Sequence, residues 1–353
     1  MSWAAVKERL MLTALPILVV LLLFMTRTVT VPEADLATLV DGLRVIQGEA
    51  GRPISAFVAL VIRLMHAGDP TGLVVESVMG DPRSHWRVAT GSLYPLVGLA
   101  LAWSGAAVFA LTGRLAPALL AQCAPLLFPW VIGGASRLQP DPILMIAVCL
   151  LVVAAVRVMR AEALEDRHAG WLGLIIGMGV AGKGSFAALA LVPVFLLDRR
   201  RALVILPLAA ILATVILSAA DPSLLALGGR IRPDAVAALL ADNPLFAVIL
   251  AASLMALMGY FRLRRRGLIA AQPLARLLTG MVAAQLALAV LVGGRRDEVD
   301  LLPAQILCGP SLAALWSLSA LVFPPPDHRR FWRAALVAVG MLGLRTLWIL
   351  HGE

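Results

Sequence analysis

The sequence predicts an all-α membrane protein of about eleven crossings, folded as one polytopic domain over residues 1–353. Three observations predict this class. Apolar residues make up 61% of the 353 and charged residues only 14%; mean hydropathy is +0.92; and apolar runs of roughly 20 residues recur along the whole chain. Cys123, Cys149 and Cys308 all fall inside such runs, so they read as small core or lipid-facing residues and not as a disulfide framework or metal site. The net charge of +9 comes from arginines spread between the runs, the ordinary mark of membrane topology, and no nucleic-acid motif accompanies it. The lipid bilayer is the expected partner; nucleic acid is not.

The first run, Leu10 to Met25, follows Lys7 and Arg9, and no small-residue cleavage pattern comes after it, so it is a retained span rather than a signal peptide. Further spans are predicted near 88–112, 115–134, 142–159, 202–219, 244–261, 273–293, 301–323 and 331–350, the first covering about 10–30. With Lys7 and Arg9 inside, the basic groups at Arg114, Arg157, Arg160, Arg167, Arg199 to Arg201, Arg262 to Arg266 and Arg329 to Arg333 are cytoplasmic under the positive-inside rule. The N-terminus is then cytoplasmic and the C-terminus outside, with no soluble domain after the last span.

That orientation dictates the fold of "GWLGLIIGMGVAGKGSFAALALVPVFLL", Gly170 to Leu197. Arg167 and Arg199 lie on the same side, so the chain between them crosses an even number of times and forms a hairpin. Each arm is about 13 residues, or about 20 Å of helix, short of a hydrocarbon core of about 30 Å. The "AGKGS" tip therefore sits below the outer surface. A charge and non-helical backbone at that depth require a cavity or a protein neighbour, so Lys183 is expected to line a cavity open to the outside.

The first extracytoplasmic loop, 31–87, is the longest. Leu36, Leu39, Val40, Leu43 and Ile46 fall at helical spacing, as do Ile54, Phe57, Val58, Val61 and Met65 after Pro53, which predicts two interfacial helices. Glu33 and Asp35 stand at the start of the first, where they are either acids favoured by the helix dipole or a general base. His85 and Arg87 precede the second span; Arg137 and Asp141 enter the fourth; Arg295 and Arg296 lie in "GGRRDEVD". Loop solvation with ion pairs is one reading of these outer charges. The other is an anion site, with Lys183, Arg295 and Arg296 as donors to a phosphate and a carboxylate nearby for proton transfer. Nucleotide-binding loops, nucleophile elbows and clusters of metal-ligand spacing are all missing from the sequence.

In order, "PEADLATLVDGLRVIQGEAGRP", the segment from "HWRVATGSLYP" through "SRLQPDPILMIAV", the Lys-Gly pair of "AGKGS" and "RRDEVDLLPAQILCGP" resemble the GT-C superfamily of polytopic glycosyltransferases. The likeness is to the branch of protein O-mannosyltransferases and lipid A aminoarabinose transferases. It implies a bacterial inner-membrane enzyme whose active site faces the periplasm. Such an enzyme moves a sugar, with inversion, from a polyprenyl-phosphate donor to a glycan, lipid or protein acceptor. Carried over by position, Glu33 matches the first-loop acid, with Asp35 close by, and Asp141 matches the second-loop acid. Lys183, Arg295 and Arg296 fall where the donor phosphate is held, with His85, Arg87 and Arg137 in support. The family's paired Asp-Glu reads Glu33-Ala34 here, which leaves the base to Glu33 or Asp35. The resemblance fixes no cofactor; a divalent metal between Asp141 and Glu33 or Asp35 stays open. Two other readings fit the same pattern, a non-catalytic GT-C-like subunit that binds a lipid or partner protein and a transporter with broken helices, although no inverted repeat is visible.

Overall fold

Runs that must lie in hydrocarbon become helices because a helix satisfies its own backbone polar groups. The computed structural model describes residues 3–25, 31–49, 51–161, 165–197, 200–218, 233–264, 272–293 and 301–322, and every regular element among them is helical. In chain order these are α1 (Trp3–Met25), α2 (Glu33–Ile46), α3 (Pro53–Met65), α4 (Thr71–Gly80), α5 (Pro82–Thr112), α6 (Leu115–Cys123), α7 (Pro129–Ala135) and α8 (Asp141–Arg160). They continue as α9 (Asp166–Gly182), α10 (Leu191–Leu196), α11 (Arg200–Ser218), α12 (Pro233–Asp242), α13 (Pro244–Arg264), α14 (Gln272–Gly293) and α15 (Leu302–Val322). Among the described residues, five helices are long and apolar enough to cross a membrane: α5, α8, α11, α13 and α14.

The span expected over 115–134 is not one unbroken helix. The chain there forms α6, a 3-10 turn over Ala124–Leu127 and α7, because Pro125 and Pro129 each remove a backbone donor and end the preceding turn. The broken segment still carries the chain from one end of the bundle to the other, since α5 and α8 run in the same direction. Its bend is held by Gln122, fully buried, whose Nε2 donates to the carbonyls of Leu12 (3.1 Å) and Leu101 (3.2 Å). The Leu12 carbonyl needs such a donor because Pro16, four residues on in α1, has no N–H. Gly105 of α5 makes room: a Cβ there would lie 2.2 Å from Gln122 Nε2.

The expected hairpin over 170–197 breaks where the Lys-Gly pair stands. α9 ends at Gly182, Lys183 is extended, and a 3-10 segment over Gly184–Ala190 leads into α10. α9 packs on α11 through Gly173 and Gly177, four residues apart. Cβ atoms there would come within 2.5 Å of the carbonyls of Leu206 and Ala210, so the two backbones touch as small-residue membrane interfaces do. α11 then turns Val204, Leu208, Ile211, Leu212 and Val215 outward, each about 60% exposed, the surface a bilayer would cover.

The first loop departs from expectation in a second way. It holds three helices rather than two, and α5 begins at Pro82, ahead of the expected start at 88, with Asp81 capping the Ser84 N–H. α4 escaped the periodicity argument because only Val74 and Val78 on it are buried. Helices α2, α3 and α4 share a small core of their own, in which Leu39, Leu43, Val58, Ile62 and Val78 close over Trp86, Leu93 and Leu138. α3 is apolar on both sides: Val58 and Ile62 face that core, while Leu60 and Leu64 are exposed, as suits a helix lying between protein and lipid. Cys149 and Cys308 are buried and Cys123 is half-buried, all three as free thiols. The expected span 331–350 lies outside the described residues.

Candidate functional site

Asp35 occupies the first turn of α2, two residues after Glu33. Successive helical residues differ by about 100°, so residues two apart face nearly opposite ways and only one acid can point inward. Asp35 does, with no exposed surface, while Glu33 is exposed. Asp35 Oδ2 accepts the indole N–H of Trp86 at 2.8 Å and the backbone N–H of Leu138 at 3.0 Å. Oδ1 is buried too and has no hydrogen-bond partner among the described residues. A carboxylate was expected at this helix start; its two partners were not, because Trp86 and Leu138 are 51 and 103 residues away.

The Leu138 bond ties α2 to the segment that enters α8. Tyr94, two turns along α5 from Trp86, donates its hydroxyl to the Ser136 carbonyl at 2.9 Å. Held at both points, the segment delivers Asp141 as the first residue of α8, where it is 4% exposed. The carboxylate fills a niche left by Gly134: a Cβ on Gly134 would lie 2.8 Å from Asp141 Oδ2 and 3.2 Å from Leu302 Cδ1. Leu302 opens α15, directly after the stretch that carries Arg295 and Arg296; those two arginines lie outside the described residues.

Lys183 reaches the same end of the bundle. Gly182 faces Leu144, whose Cδ2 would lie 3.3 Å from a Cβ there, and Leu144 is one turn into α8 from Asp141. The chain reverses tightly because Gly179 leaves space for the Phe186 ring, and Lys183 itself is half-buried. The first-loop acids, the Arg137 to Asp141 segment and the Lys183 break thus share one end. Arg87 and Arg137 are there as well, both exposed.

His85 is buried, and its ring is already engaged. Nδ1 lies 2.8 Å from the Asp81 carbonyl and Nε2 lies 2.9 Å from Nε2 of His66, whose Nδ1 is 3.1 Å from Asp69 Oδ2. The ring centroids are 5.2 Å apart and the planes differ by 15°. That separation is the nitrogen distance plus roughly one ring radius at each side, so the imidazoles meet edge to edge and share a linear hydrogen bond. A carbonyl can only accept, which puts the His85 proton on Nδ1 and makes His66 the donor between the rings. The pair locks the end of α3 to the start of α5. His66 and Asp69 were not singled out from the sequence, where they stand in "MHAGDP" at the end of the second interfacial segment.

Among the described residues no group of three or more His, Cys, Asp or Glu is arranged to hold a metal ion. Comparison with models of known families, with curated proteins and with solved structures finds no match to this chain.

Proposed function

We propose that the protein is a membrane-embedded glycosyltransferase, moving a sugar from a polyprenyl-phosphate donor to an acceptor hydroxyl on the extracytoplasmic side. The observation that supports it most is the hydrogen bond from Leu138 N–H to Asp35, which joins the two acidic segments on which such a reaction would depend. In this reading Glu33, exposed at the tip of α2, takes the proton of the acceptor hydroxyl. The acceptor oxygen bonds to the anomeric carbon with inversion, and the bond to the phosphate oxygen breaks with its electron pair. Lys183, Arg295 and Arg296 stabilise the phosphate that leaves. Asp141 orients the acceptor. Asp35 acts as a positioning residue.

The chain would cross the inner membrane about eleven times, counting both arms at Lys183, with the N-terminus cytoplasmic and this end of the bundle facing the periplasm. A second reading, a non-catalytic subunit of the same architecture, draws on the complete burial of Asp35 against internal donors, which is how a purely structural carboxylate is used.

The test is incubation of the purified protein with radiolabelled polyprenyl-phosphate sugars, comparing wild type with Glu33→Gln, Asp35→Asn and Asp141→Asn. Transfer by wild type that falls at least a hundredfold in folded Glu33→Gln is expected. Transfer that survives all three changes would discard the carboxylate assignment, and failure of the wild type to turn over any donor favours the subunit reading.

A further inference from the structure

At the opposite end of the bundle from Asp35 and Asp141, α5, α8 and α9 enclose a groove of about 430 Å³. α8 contributes Leu150, Val153 and Arg157, spaced to form one stripe; α9, running the other way, contributes His168, Trp171 and Ile175. Polar groups therefore gather at the mouth and apolar ones line the floor. Arg157 is exposed and lies over the Trp103 ring, its guanidinium carbon 5.3 Å from the centroid, with no carboxylate within ion-pair distance among the described residues. Arg167, by contrast, is paired with Glu165. His168 Nδ1 accepts the Glu165 N–H, which leaves Nε2 as the ring's donor in its neutral form.

We propose that this groove binds one anionic glycerophospholipid of the surrounding bilayer, with the phosphate between Arg157 and His168 and the upper acyl chain on the Leu150, Val153 and Ile175 floor. Charge, shape and level in the membrane each support this occupant. Arg157 supplies a cation that no acid among the described residues pairs with. From Leu150 to Arg157 is about 10 Å of helix, so a groove of this volume has a cross-section about half that of a helix of about 10 Å diameter; it suits a chain, not a partner helix. Arg114, Arg157, Arg160 and Arg167 mark this end as the cytoplasmic one, where anionic headgroups attract basic clefts between helices. Trp103 and Trp171 both line the groove and are exposed, and tryptophan is a residue favoured at the headgroup level. The inference does not depend on the glycosyl-transfer reading and survives its failure.

Native mass spectrometry of the full chain in mild detergent tests it, with dioleoyl-phosphatidylglycerol or dioleoyl-phosphatidylcholine added. One phosphatidylglycerol is expected to be retained in preference to phosphatidylcholine. Its affinity should drop at least tenfold in Arg157→Gln and recover for the most part in Arg157→Lys. Equal retention of the two lipids, equal retention by wild type and Arg157→Gln, or displacement by millimolar inorganic phosphate would overturn the proposal. A measurement that needs no charge variant is quenching of tryptophan fluorescence in vesicles holding brominated phosphatidylglycerol or, at the same fraction, brominated phosphatidylcholine. Stronger quenching by the anionic lipid is expected, and the difference should vanish in Trp103→Phe/Trp171→Phe. Indistinguishable quenching by the two lipids in the wild type also counts against it.

Discussion

The carboxylate of Asp35 accepts the indole N–H of Trp86 at 2.8 Å inside a core that excludes both from solvent. This bond, with the one from Leu138, seats the first-loop helices on the bundle and sets where α8 begins. A buried acceptor of two donors resists replacement by a group that cannot accept. Asp35→Ala is expected to lower unfolding stability by about 3 kcal/mol, because it strands the Trp86 indole N–H and the Leu138 N–H as buried donors without this acceptor. Glu33→Gln, on the exposed face, should change it by less than about 0.5 kcal/mol. Thermal unfolding of the two variants in detergent checks the contrast; equal stabilities would show that the Asp35 bonds carry no weight.

Gln122 and Pro16 are expected to be energetically coupled. Removing the amide in Gln122→Leu leaves the Leu12 carbonyl buried without a donor, at a cost of about 1–3 kcal/mol. Pro16→Ala restores a backbone N–H to that carbonyl, so it should cost less, or even stabilise, when combined with Gln122→Leu. A double-mutant cycle on denaturant midpoints measures the coupling. Strict additivity of the two changes would mean that the Leu12 carbonyl finds its partner elsewhere.

At the α9 and α11 contact, Gly177→Val should force the helices apart, because its side chain would begin 2.5 Å from the Ala210 carbonyl. Gly170→Ala, on the same helix but with open space around it, serves as the matched control and should be neutral or slightly stabilising. Cross-linking of cysteines introduced at positions 174 and 211 would report the separation. Unchanged cross-linking yield in Gly177→Val refutes the close approach.

Between His66 and His85 a single replacement should hurt more than a double one. His66→Phe strands the His85 Nε2 at a buried position, costing about 1–3 kcal/mol, whereas His66→Phe/His85→Phe removes both polar groups and should recover part of that loss. Hydrogen exchange across residues 62–86 is the readout: faster exchange is expected in the single variant and partial recovery in the double. Exchange faster still in the double variant would argue against a shared proton between the rings.

The placement of Glu33 and Asp35 shows how far the sequence could carry the site. Dipole and helical spacing predict acids at the start of α2, and they are there. The sequence reading left the base to Glu33 or Asp35; Asp35 lies one and two turns ahead of Leu39 and Leu43 on the buried stripe, and its partners Trp86 and Leu138 came only with the fold. His85 is similar: the sequence places it just ahead of the second span, while its engagement with His66 came from the fold of the α3 to α5 corner.

Local chemistry settled that the apolar stretches are helical and that the chain belongs in lipid, because hydropathy and backbone constraint act over a few residues; the breaks at Pro125 and Pro129 and the extra helix α4 came with the structure. Tertiary structure decided which face of each helix is inside and which distant groups meet. Asp35 with Leu138 and Gln122 with Leu12 are joined across 103 and 110 residues. Burial at such sites is a property of the neighbours, so a buried polar group finds its partners only once the helices are packed.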